Sequence, residues 1–158
     1  MNSRDAFAPV ASAPGSRPAE SPQWRAIMPV PGDAPAPPAA HPEHGQPARR
    51  WEYRDAAKRL LGFVDRYEAK GEKEIRSLIY ASHERFGRQW RFKGFPRPRP
   101  LYRADRLAAR PAASVIVVEG EKSADAAAEL FPDHVPITSP GGNNAAKLAD
   151  WGHSPAET

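Results

Sequence analysis

From Trp51 to about Phe95, apolar side chains recur at every second position. Trp51 and Tyr53 alternate with charged neighbours, and Leu61, Phe63 and Tyr67 continue the pattern. In a third run Ile75, Ser77 and Ile79 lie on one side, with Leu78 and Tyr80 on the other. Trp90 and Phe92 alternate in a fourth. Period-two patterning with aromatics predicts half-buried strands. Residues 55–59 and 70–73 break it with turn-forming composition. The prediction is a small antiparallel meander that packs on the C-terminal part of the chain, since so few strands hold little core of their own.

The pattern then changes twice. Prolines at alternate positions in Lys93-Gly94-Phe95-Pro96-Arg97-Pro98-Arg99-Pro100 enforce an extended segment. A short helix over 104–109 follows and ends at Pro111. Val115-Ile116-Val117-Val118 is a continuous β-branched run, predicting a strand buried on both faces of a parallel sheet. Ala124, Ala127, Ala128 and Phe131 fall at helical spacing, so 123–131 reads as a helix. Residues 134–138 read as a second strand, and a helix capped by Asn143 or Asn144 runs to about Trp151. Strand, helix, strand, helix is the opening of an α/β unit.

Composition adds an arm. Residues 1–48 are rich in Pro, Ala and Ser, with few large apolar side chains to offset the entropy of ordering. The expected architecture is therefore α/β in three parts: a disordered Pro/Ala-rich arm over 1–48, a small β-rich basic region over 49–110, and a partial Rossmann-like β-α-β-α unit over 111–158. The chain of 158 residues has no cysteine, which excludes disulfides, iron–sulfur clusters and cysteine zinc sites. No signal-length or membrane-length apolar run occurs, so a cytoplasmic protein without a membrane partner is expected. The net charge of +4 permits an anionic partner.

Ligands of open α/β sheets sit beyond the carboxyl ends of the strands. Glu119 stands there, one residue after the apolar run, followed by Gly120 and Lys122. A carboxylate in that place can serve as acid or base or help hold Mg²⁺, and the following helix start faces the same spot. On spacing alone, a solvated strand-to-helix turn accounts for these residues equally well. Gly120-Glu121-Lys122-Ser123 echoes the end of a P-loop, but the earlier glycine and the Gly-Lys pair are missing.

Upstream, Arg88, Arg91, Lys93, Arg97, Arg99 and Arg103 lie in a basic stretch interleaved with Phe86, Trp90, Phe92, Phe95 and Tyr102. Arginine and lysine neutralise phosphates, and aromatics stack on bases. The competing reading makes the aromatics core and the arginines a solvated face. The five histidines are scattered. His41-Pro42-Glu43-His44 lies in the arm and reads as solvated, so no zinc site is expected.

The run from Val115 through Val118 into Glu119-Gly120-Glu121-Lys122-Ser123-Ala124-Asp125-Ala126 resembles the first motif of Toprim domains. More narrowly it resembles the Toprim-bearing primase or primase–helicase proteins of phages, prophages and plasmids. Ser139-Pro140-Gly141-Gly142, Ala149-Asp150-Trp151, Trp90-Arg91-Phe92-Lys93-Gly94-Phe95 and Arg97-Pro98-Arg99-Pro100-Leu101-Tyr102 are similar to that family as well, over roughly residues 50 to 151. The resemblance implies a partial Toprim fold, with Glu119 as general acid/base and part of a metal site. It implies Gly120 as the turn glycine and Lys122 as a basic position near phosphates. It also implies Mg²⁺ as cofactor, and single-stranded DNA or a primer–template, a helicase, or the missing Toprim half as partners.

The family's second acidic motif, Asp-x-Asp, occurs nowhere in this chain. Mg²⁺ wants several oxygen ligands, so Glu119 alone is an incomplete site. The expectation is a fragment, a frameshifted gene or a degenerate remnant that binds nucleic acid without catalysing phosphoryl transfer. A non-catalytic nucleic-acid-binding or partner-docking module is the alternative, and a chain that never folds stably is the third.

Overall fold

The computed structural model describes residues 23–152. The chain is mixed α/β, with a mostly antiparallel sheet and a small parallel one. The antiparallel sheet comprises β1 (Arg25–Ala26), β2 (Arg49–Arg54), β3 (Leu60–Ala69), β4 (Glu72–His83) and β5 (Gly87–Phe92). β2, β3, β4 and β5 are neighbours in chain order, and β1 extends the edge of β4 beyond the end of β3.

The alternation separates two apolar faces, and both are covered. On one face Trp51, Tyr53, Val64, Ile79, Ala81 and Phe95 form a core, joined by Trp24 and Met28 from the arm. At Gly62 the β2–β3 register shifts, and Phe95 lies against the backbone. A Cβ there would sit 2.7 Å from the Leu78 carbonyl oxygen and 2.9 Å from the Phe95 ring, so glycine is required by close approach.

The other face carries Phe63, Leu78, Tyr80, Trp90 and Phe92. Residues 33–48 of the arm cross it. The Trp90 Nε1–H donates to the Pro35 carbonyl at 2.7 Å and Arg50 Nη2 to the Pro38 carbonyl at 3.0 Å, while the His41 ring packs 4.4 Å from Phe92. Asp65, on this face, is fully buried. It takes a two-pronged bond from Arg50 at 2.6 and 2.7 Å and a third from the Tyr67 hydroxyl at 2.9 Å.

The expectation of disorder is therefore corrected over residues 23–48, while residues 1–22 lie outside those described. The apolar surface that orders the arm belongs to the sheet, and the arm supplies carbonyls, rings and proline stiffness. Proline also lowers the entropy lost on ordering.

The second unit follows the extended segment. α1 (Ala104–Ala109) is succeeded by β6 (Ser114–Val117), α2 (Glu121–Leu130) and β7 (His134–Ile137), with β6 and β7 parallel. α2 starts before the predicted 123 and ends before Phe131, which is exposed. A 3₁₀ helix spans Asn143–Leu148, shorter than the predicted helix to Trp151. Leu101, Val135, Ile137 and Ala149 form the second core, with Ala104 and Leu107 of α1 against it.

One expectation fails here. β6 pairs only with β7, and Val115 and Val117 remain 38% and 61% exposed. A β-branched run makes a strand, but burial on both faces needs a neighbour on each side. Among the described residues, no helix is long and apolar enough to cross a membrane.

Candidate nucleic-acid interface

β6 ends in a turn that sends Glu119 and Lys122 outward, both exposed and neither in an ion pair among the described residues. Gly120 caps α2 with extended backbone (φ −154°, ψ 167°), and a Cβ on it would meet open space. Neither its dihedral angles nor its neighbours demand glycine. The loop after β7 flanks the same spot, since a Cβ on Gly142 would lie 3.6 Å from the Glu119 carbonyl oxygen.

The acids to which the sequence assigned no role face the other way. Glu121 and Asp125 stand four apart on α2, flanking buried Ala124, and bind the antiparallel sheet. Glu121 Oε1 accepts the Tyr53 hydroxyl at 2.7 Å. Asp125 accepts the Trp51 Nε1–H at 2.9 Å, the Tyr102 hydroxyl at 2.8 Å and Arg49 at 3.2 Å. Burial, then the Glu121 carboxylate, push the Tyr53 hydroxyl well above its ordinary pKa. Burial, then the bond to Asp125, do the same for Tyr102. The i, i+4 spacing of the two acids around an alanine stripe was the available signal.

These engagements decide whether Mg²⁺ fits at the end of β6. Glu119 would be its one carboxylate, because Glu121 and Asp125 are turned inward and already bonded. No trio of metal-ligating side chains among the described residues includes Glu119. The residues do not fit the ion, and no catalytic step is routed through it.

The basic residues divide. Arg88 binds Asp33 of the arm at 2.9 Å, and that hydrogen bond raises its pKa. Arg91, on the opposite face of β5, stacks 4.7 Å over the Trp24 ring. Lys93 and Arg97 are exposed and form no ion pair among the described residues. Arg99 is structural: its side chain donates to the Pro140 carbonyl at 3.3 Å, and its main chain pairs with Leu148 and Asp150. Arg103 holds a left-handed conformation (φ 67°) ahead of α1, with Asp125 3.7 Å away.

The aromatics divide as well: Phe95 is buried in the core, Trp90, Phe92 and Tyr102 are half-buried against other rings, and Phe86 is 54% exposed.

Beside Asp125, Arg103 of the expected set is joined by four arginines outside it. A cleft of about 310 Å³ is lined by Arg49, Arg50, Arg54, Arg103 and Arg106, against Glu52, Asp105 and Asp125. Arg54 pairs with Glu52 at 2.6 Å and Arg49 with Asp125 at 3.2 Å, each pair partly exposed. A guanidinium carries five N–H donors, so such pairs leave donors open to an anion.

His41, Glu43 and His44 bring ligand atoms within 4.8 Å of one another. They are not a solvated stretch, because both rings pack on Tyr67. His41 Nδ1 accepts the amides of Glu43 and His44 at 3.1 and 3.3 Å, and paired main-chain bonds between His41 and Gly45 at 2.8 and 2.9 Å close the five-residue loop.

Comparison with family models, with curated proteins and with solved structures finds no match.

Proposed function

We propose that this chain is a nucleic-acid-binding module of the Toprim primase type that does not catalyse phosphoryl transfer by itself. The observation that carries the reading is the pairing of an outward Glu119 and Lys122 at the carboxyl end of a parallel strand, ahead of α2. Lys93, Arg97 and the cleft arginines add cationic surface for a phosphate backbone. The missing second carboxylate supports the non-catalytic part.

The ligand class proposed is single-stranded DNA or a primer–template. With Phe95 buried and Trp90, Phe92 and Tyr102 engaged by Pro35, His41 and Asp125, binding is driven by charge rather than by stacking. A salt titration of binding to a labelled single-stranded oligonucleotide is expected to give a steep negative slope. Lys93→Ala with Arg97→Ala lowers that slope by about 1 for each phosphate contact removed. Absence of binding at low salt overturns the proposal. Glu119→Gln separates the catalytic alternative: binding is unchanged in a binding module, whereas Mg²⁺-dependent synthesis that disappears in this variant would restore a catalytic role.

A further inference from the structure

We infer that the outer edge of β6 pairs with the same edge of a second copy of this chain, joining two parallel pairs into one sheet across a twofold axis. The inference is independent of the nucleic-acid reading. The Val118 amide donates to the Ile137 carbonyl at 3.0 Å, and Val117 stands opposite Ile137 in the parallel register. In that geometry the amides and carbonyls of Val115 and Val117 point away from β7. No main-chain partner for them exists among the described residues. Their side chains share the face of Val135 and Ile137, where Leu101 and α1 cover β7 and leave β6 bare.

The other sheet edges discourage self-pairing, because β2 carries Arg49, Arg50 and Arg54 and β5 carries Arg88 and Arg91. Residues 114–118 hold no charge, no proline and no bulge. Antiparallel pairing centred on Ile116 sets Val115 opposite Val117 of the second copy and the reverse. Those two positions carry the outward groups, so every one of them finds a partner. A standard stable interface buries about 1,600 Å². An edge this short buries less by itself, so the dimer forms in a concentration-dependent way.

Sedimentation of the full chain over a dilution series tests this. The mass is expected to rise toward twice the monomer's at high concentration. Val117→Lys, at an exposed position, is expected to stay monomeric with an unchanged melt. The chain has no cysteine, so introduced thiols report the register. Two Ile116 Cα atoms facing across the axis lie about 4.5 Å apart, within disulfide reach. Two Val115 Cα atoms, offset by two residues along the strands, lie about 8 Å apart, beyond that reach. Mild oxidation is expected to give a covalent dimer with Ile116→Cys and none with Val115→Cys. If Ile116→Cys does not fold, the double change Ser114→Cys and Val118→Cys, which face each other in the same register, replaces it. A wild-type mass that stays monomeric throughout, a Val117→Lys dimer as strong as wild type, or equal cross-linking at 115 and 116 overturns the inference.

Discussion

In the antiparallel sheet Val64 and Ile79 are each 1% exposed, while in the parallel pair Val115 is 38% and Val117 61% exposed. All four are β-branched residues within strands. The difference lies in what covers them. One face of the antiparallel sheet meets α2 through Tyr53 and Trp51, and the other meets the arm through Trp90 and Arg50. The parallel pair has α1 over β7 and, among the described residues, no strand on the outer side of β6. Side-chain character made both strands, whereas covering elements made only one of them dry.

Five measurements sharpen or break that contrast. The largest effect is expected from Asp65→Ala, which leaves Arg50 and the Tyr67 hydroxyl without their shared acceptor. Loss of one partner of a buried pair costs about 3–5 kcal/mol, to be read by chemical denaturation. A loss below about 1 kcal/mol, typical of a surface pair, would mean that this face is not sealed. The same cluster sets an alkaline limit. Burial, then the bond to Asp65, push the Tyr67 hydroxyl from 10 up to about 12. Its folded pKa is raised, so its contribution to stability is complete below pH 10 and is lost as pH climbs through about 12. Phenolate absorbance and ellipticity are expected to change together in that window.

Tyr53→Phe comes next. It strips buried Glu121 of the hydroxyl that docks α2 on the sheet, at a cost of about 1–3 kcal/mol. Hydrogen exchange is expected to quicken in α2 and β6 and to hold in β3 and β4. Equal loss in both units would show that they form one cooperative block. Trp90→Phe keeps the ring against Tyr80 and removes the bond to Pro35, for about 1 kcal/mol. Limited proteolysis should then open residues 33–48 before the strands. The smallest effect belongs to Glu119→Gln: at an exposed turn the melt is expected to move by less than about 0.5 kcal/mol.

Much of the meander was legible. Period-two positions such as Trp51 and Tyr53, or Ile79 against Leu78 and Tyr80, point to the faces the sequence predicts, because alternation is a local property of extended backbone. The strand over Ser114–Val117 was legible for another reason, its run of β-branched residues, but the exposure of Val115 and Val117 was not. The docking role of Glu121 and Asp125 was not, because their partners, Tyr53, Trp51 and Tyr102, lie at distant positions in sequence. The split of the basic stretch was equally hidden. Arg99 and Lys93 are alike as letters, and only the path of the chain turns one toward Pro140 and the other toward solvent.

By itself the sequence determined where the strands of the meander and the strand and helix after Ala113 run, and which side of the antiparallel strands is apolar, since these follow from dihedral preference and periodicity over a few residues. Tertiary structure decided that a proline-rich arm seals a sheet, that two acids of a helix serve as anchors, and that β6 keeps an open edge. Each of those depends on which distant surface arrives alongside, and burial is a property of the pair of surfaces rather than of either segment.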